Sequence, residues 1–138
     1  MNFKNVKLVL LDLDGTLLDD TGSIGDQSKK YARLLREKGV IVTFASGRMF
    51  SALDQYAAEL SVNGPLIASD GAVIKNFPGG EVVLKTALKD SKVKKGIDLS
   101  EKHLVKMVMC TDSDVLYTEH NEATLQLIDR FGARFKMV

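Results

Sequence analysis

Cysteine occurs once in these 138 residues, tryptophan not at all and proline only twice. The lone Cys110 excludes an intramolecular disulfide framework. No apolar run approaches the length of a bilayer span: the longest, around Leu8 to Leu11 and around Val105 to Cys110 with Lys106 inside, are far too short. The N-terminus lacks the apolar segment of a secretory signal, so the expected setting is cytoplasmic, with no membrane partner. Charge of one sign is also missing. Nineteen Lys and Arg against eighteen Asp and Glu leave a net charge of +1, which gives no overall field for nucleic acid. His103 and His120 stand apart from any metal-ligand spacing and read as surface residues. What is present is a 45% hydrophobic composition, enough for a packed core.

The apolar pattern predicts an α/β chain. Val6 to Leu13 and Val40 to Ala45 read as strands buried on both faces, and the helix between them carries Tyr31, Leu34 and Leu35 before stopping at Gly39. A second helix is expected from Met49 to Leu60, with Met49, Leu53, Tyr56, Ala57 and Leu60 on one stripe and Asn63-Gly64-Pro65 closing it. Leu66 to Ser69 follows as a third strand, which makes β-α-β-α-β, the order of an open parallel sheet. Val73 to Lys75 and Glu81 to Leu84 flank Pro78-Gly79-Gly80 as a hairpin. The lysine-rich stretch from Lys85 to Lys106, with acids interleaved and Val93 and Ile97 on a weak apolar face, reads as a solvated helix. Beyond it an antiparallel pair, Val105 to Cys110 and Leu116 to Thr118, a helix from Glu122 to Phe131 and a strand opening at Phe135 are expected.

The chemistry concentrates at the ends of the first three strands. Asp12 and Asp14 stand two residues apart where the first apolar run stops, so their side chains can converge on one point, and Gly15 follows at once. Paired carboxylates there suit one hard cation and one phosphate, because aspartate can attack phosphorus and Mg²⁺ takes one or two carboxylates while keeping waters. Ser46-Gly47-Arg48 ends the second strand and Ser69-Asp70-Gly71 the third. In open parallel sheets ligands bind outside the carboxyl ends of the strands, the edge these groups share. The Ser46 hydroxyl and the Gly47 amide could hold a phosphate oxygen or cap the following helix, and both uses draw on the same exposed amides. Leu18 to Ile24, by its own residues, reads as an ordinary polar turn.

Asp12-Leu13-Asp14-Gly15-Thr16-Leu17-Leu18 resembles the first motif of the haloacid-dehalogenase-like superfamily, and Phe44-Ala45-Ser46-Gly47-Arg48 resembles its second motif as found in the sugar-phosphate-phosphatase-like Cof branch. The resemblance implies a Rossmann-like open parallel sheet, the first half of the core, at 1–80, and the beginning of an α/β cap at 81–138. It implies a Mg²⁺-dependent phosphatase of small phosphorylated metabolites. Asp12 would form an aspartyl-phosphate and Asp14 would serve as general acid and base. Ser46, Gly47, Arg48 and Asp70 would bind the substrate phosphate, and the Asp12 carboxylate with the Asp14 carbonyl would bind the metal. By resemblance to a family that covers its nucleophile, Leu18 to Ile24 reads alternatively as a hairpin flap over Asp12. Asp70 departs from the asparagine usual in this branch and, as an ionised carboxylate, cannot donate to phosphate; metal, water or structure are its other uses.

The resemblance covers only the N-terminal part of a full family member, since the later lysine and the acidic Gly-Asp motif of the family have no counterpart here. A 138-residue chain of this kind is expected to bind Mg²⁺ weakly, to turn over little or not at all, and either to self-associate as a homo-oligomer through the open side of its sheet or to remain marginally stable. The alternatives are a non-catalytic phosphate-binding or interaction module, and a phosphomutase or phosphotransferase of the same superfamily.

Overall fold

The computed structural model describes residues 5–111, 114–117 and 134–137, the last stretch by its backbone. Its internal contacts separate the chain into two compact units, Met1–Lys85 and Thr86–Val138.

In the first unit, strand β1 (Leu8–Leu11) lies parallel to β2 (Ile41–Phe44), in a register from Leu8 opposite Ile41 to Leu11 opposite Phe44. Helix α1 (Asp26–Glu37) is the crossover between them, and α2 (Phe50–Leu60) leads from β2 to β3 (Leu66–Ala68). β2 meets β3 through a single parallel bridge, Ala45 to Ile67. β4 (Val73–Lys75) and β5 (Val82–Lys85) then add antiparallel strands to β3. The mixed edge follows from the short connections, because two parallel neighbours need a long crossover and the Pro78-Gly79-Gly80 turn allows only a hairpin. β5 thus belongs to the sheet of the first unit and runs past residue 80.

The core sits where β2, β3 and α2 meet. Val42, Phe44, Leu53, Ala57, Leu66 and Ala68 are all fully buried. Two sequence expectations change here. β1 is half-buried on one face, through Val9 and Leu11, and exposed on the other: Leu8 and Leu10 are 48% and 46% exposed, and Leu13, although fully buried, belongs to the turn after the strand. Alternate side chains of a strand face opposite ways, and no described element covers Leu8 and Leu10. Ile41 on β2 is exposed as well. In α1 the buried contacts come from Ala32 and, partly, Leu35, whereas Tyr31 and Leu34 face solvent. The helix is turned so that Ala32 and Leu35, not Tyr31 and Leu34, approach the core.

α2 ends at Leu60, as the sequence predicts, and Ser61 caps it in the left-handed region at φ 52°, ahead of Asn63-Gly64-Pro65. Arg36 of α1 donates to the carbonyls of Leu60 and Ser61, a cation placed on the negative end of the α2 dipole. Asn63 instead fastens the chain to β2. Its Oδ1 accepts from the Val42 amide at 2.8 Å and its own amide donates to the Val42 carbonyl at 3.2 Å.

The second unit holds α3 (Asp90–His103), β6 (Val108–Cys110), β7 (Asp114–Tyr117) and β8 (Arg134–Met137). β6 is antiparallel to β7, and β8 runs parallel to β7 on its other side. α3 buries no residue fully, as its interleaved charges predict, with Val93 and Ile97 half-buried. The expected helix from Glu122 to Phe131, together with Thr118 and His120, lies outside the described residues. No helix among the described residues is long and apolar enough to cross a membrane.

Candidate active site

Asp12 follows directly on β1, and the parallel register sets it beside Ala45, the residue after β2. The Ala45 amide donates to the Leu11 carbonyl at 3.0 Å and the Ser46 amide to the Ile67 carbonyl at 3.0 Å, so the three strand ends are hydrogen-bonded side by side. Two further bonds lock the loops that leave β2 and β3: Ser69 N–H to the Arg48 carbonyl at 2.8 Å, and Asp70 N–H to the Ser46 carbonyl at 3.3 Å. The structure therefore gathers 12–14, 46–48 and 69–70 at one sheet edge.

Leu13–Leu17 makes one tight turn after β1, possible because Gly15 takes φ 73°. The turn leaves Asp12 exposed, with the Thr16 hydroxyl donating to its Oδ2 at 3.4 Å. Asp14 points instead at Arg48. The guanidinium donates twice, Nε to Oδ2 at 2.8 Å and Nη2 to Oδ1 at 2.7 Å, a bidentate pair. Arg48 is 9% exposed and lies over the Tyr56 ring, its Cζ 5.3 Å from the centroid. Hydrogen bonding to Asp14 raises the Arg48 pKa against the opposing effect of burial, so Arg48 stays charged. The Asp14 side chain is 38% exposed, water screens the pair, and its net contribution to stability is about 1 kcal/mol. Its main consequence is positional: Asp14 is fixed in orientation.

Ser46 is buried, and its Oγ accepts from the Arg48 amide at 3.2 Å, so its O–H is left to donate elsewhere. The helix cap position falls to Met49, not to Ser46. Among the described residues the Gly47 N–H meets no acceptor. Next to it lies Asp70, whose Oδ1 is 2.9 Å from where a Cβ on Gly47 would sit; only glycine admits that approach. Asp70 holds this place in a strained backbone. Ser69 and Asp70 have φ of 50° and 54°, and Gly71 continues at 88°. A left-handed conformation costs most non-glycine residues about 1–2 kcal/mol, a cost that falls on Ser69 more than on Asp70, since aspartate enters that region more readily.

The segment from Leu18 to Ile24 forms a tiny hairpin through an antiparallel bridge between those two residues. Asp19 organises it, its Oδ1 accepting from the Thr21 amide at 2.9 Å, the Thr21 hydroxyl at 2.6 Å and the Ser23 amide at 3.0 Å. The Thr21 hydroxyl, followed by the Ser23 amide, lowers the Asp19 pKa from its ordinary 3.8. A depressed carboxylate contributes stability above its unfolded pKa and loses it as pH falls through the folded one. The hairpin is therefore expected to loosen only below pH 3.8. Amide shifts of Thr21 and Ser23 followed by NMR should titrate together below that value and cease to do so in Asp19→Ala.

The contacts of Thr16 with Asp12 and of Tyr56 with Arg48 have no signal in the sequence. Tyr56 was legible as a core residue of α2, but nothing in a one-dimensional pattern shows that its ring carries Arg48. Among the described residues no three acidic, histidine or cysteine side chains converge as a metal cluster. A cation here would rest on the Asp12 carboxylate and the Asp14 carbonyl, which fits the Mg²⁺ habit of few protein ligands and several waters.

This arrangement can be set beside known proteins. The chain is 33% identical over 101 residues to 5-amino-6-(5-phospho-D-ribitylamino)uracil phosphatase YcsE of Bacillus subtilis, covering 72% of this chain and 39% of that protein. It is 29% identical over 127 residues to the phosphatase YitU of the same organism, covering 91% and 46%. The chain thus spans less than half the length of these relatives. In fold it matches a haloacid dehalogenase-like hydrolase from Bacteroides thetaiotaomicron with a TM-score of 0.86 at 19% identity, over 96% of this chain and 52% of that one. A family model of haloacid dehalogenase-like hydrolases matches residues 9–136, and the chain belongs to that family.

Proposed function

We propose that this chain carries the nucleophile and phosphate-binding half of a Mg²⁺-dependent phosphatase acting on small phosphate monoesters through an aspartyl-phosphate. The observation that supports it most is the interlocked strand edge, at which the Ser46 O–H and the Gly47 N–H meet no acceptor among the described residues and Asp12 is exposed. Two free donors next to a nucleophile are what a transferring phosphoryl group requires. When bound, Mg²⁺ would neutralise charge between the anionic nucleophile and the phosphate dianion.

The roles of the chain's own groups follow. An Asp12 carboxylate oxygen attacks phosphorus, while Ser46 and Gly47 hold the equatorial oxygens. In its pair with Arg48, Asp14 is ionised, the form that takes a proton from the attacking water in the hydrolytic step. Donation to the leaving group needs a protonated Asp14, and hence an opened pair. Arg48 would act on the reaction by placing Asp14, and Tyr56 by supporting Arg48.

Inorganic phosphate is the direct probe of the cradle. Ser46→Ala removes the hydroxyl yet leaves the backbone bonds of residues 45–48, so phosphate affinity measured by calorimetry is expected to fall about 10-fold, the loss of one hydrogen bond to a charged group. Unchanged affinity would remove Ser46 from the site.

A further inference from the structure

The carboxylate of Asp70 has no part in the roles above. It makes no hydrogen bond or ion pair among the described residues, it is exposed, and it lies against Gly47 at the edge of the phosphate cradle. Its position is held at a cost, through two successive non-glycine residues in the left-handed region and a backbone bond from its own amide to the Ser46 carbonyl. Strain kept in a short loop that aims one side chain at a ligand cradle points to use of that side chain. An ionised carboxylate accepts hydrogen bonds and donates none, and it repels a neighbouring anion. It would therefore serve the transferring phosphate poorly and the group attached to it well.

We infer that Asp70 is a specificity residue for the leaving group: it favours substrates that place a hydrogen-bond donor or a positive charge next to the phosphoester, and disfavours those that place a second phosphate there. The inference rests on the cradle of Ser46 and Gly47 proposed above. A metal-ligand role is the competing use, but Asp12, Asp14 and Asp70 do not converge as a cation site among the described residues.

The test compares phosphoethanolamine, whose leaving group carries an ammonium, with pyrophosphate, whose leaving group is a second phosphate, and with inorganic phosphate as the reference for the cradle. Affinities are measured calorimetrically on the full chain at low salt for the wild type, Asp70→Asn and Asp70→Gly. Asparagine and glycine both tolerate the left-handed backbone, so the loop is retained in each variant. The ratio of phosphoethanolamine to pyrophosphate affinity is expected to fall about 10-fold in both variants, the scale of one charge-assisted contact, and the difference should shrink at high salt. Inorganic phosphate should bind all three proteins, and more tightly to Asp70→Asn, which gains a donor. An unchanged ratio with phosphate still bound overturns the role of Asp70 and leaves the cradle standing, as does a change in thermal stability alone. Failure of inorganic phosphate to bind any of the three overturns the cradle and this inference with it.

Discussion

Asp12→Asn is expected to lower phosphate release from a generic aryl phosphate by at least ~10³-fold, because the amide has the shape of the carboxylate but cannot attack phosphorus. The fold should be indifferent to the change. Asp12 is exposed and its described side-chain contact is a long 3.4 Å bond from Thr16, so the thermal midpoint should stay within a degree or two of wild type, about the spread of a surface substitution. Loss of turnover with an intact midpoint separates a chemical role from a structural one. The measurement belongs on a form of the protein that turns over phosphate esters, with and without Mg²⁺. Trapping of a phosphorylated Asp12 by mass spectrometry in the wild type and its absence in Asp12→Asn would tie the loss to the covalent step. Wild-type hydrolysis by Asp12→Asn would end the mechanism.

Much of this edge was legible in the sequence because its signals are local. A run of aliphatic residues ending in acid-x-acid-glycine, and a second run ending in Ser-Gly-Arg, say where strands stop and which groups are left there. The parallel register then brings the two ends together, since opposite residues such as Leu11 and Phe44 fix where Asp12 and Ser46 fall. The direction in which a side chain turns is set by non-local partners and was not legible. Asp14 and Arg48 are separated by 34 positions, and the pairing that orients Asp14 depends on a buried guanidinium held over Tyr56. The role of Asp70 was open for the same reason. Only the loop geometry shows its carboxylate lying on Gly47.

Burial was the weakest reading. A strand of four aliphatic residues looks the same whether one face or both are covered, and the exposure of Leu8 and Leu10 is invisible in it. Likewise Tyr31 and Leu34 have helical spacing, yet the small Ala32 sets the face of α1 that meets the sheet. Hydrophobic period names an element and leaves open which half of its surface is covered.

That difference between period and burial yields the largest expected effect on stability. Phe44 is fully buried at the end of β2 and packs within the cluster of Leu13, Leu53, Ala57 and Leu66, so Phe44→Ala should cost about 3–5 kcal/mol through lost burial and the cavity it leaves. Against a total stability of roughly 5–15 kcal/mol, this removes about a third or more of it, and at the low end of that range it places the protein near its unfolding midpoint. Leu10→Ala on β1 offers the contrast. Its side chain is 46% exposed, and the change should cost less than ~1 kcal/mol, in spite of an aliphatic setting just as hydrophobic in sequence. Urea denaturation of the two variants reads the difference as a shift of midpoint at constant slope. Equal losses would show that Leu10 is covered in solution, either by a second copy of the chain or by another surface, and a light-scattering series over concentration would tell which. Phosphate binding by Phe44→Ala adds a second readout: Ala45 and Ser46 follow Phe44 directly, so the cradle should weaken in step with the loss of stability, whereas Leu10→Ala should leave it unchanged.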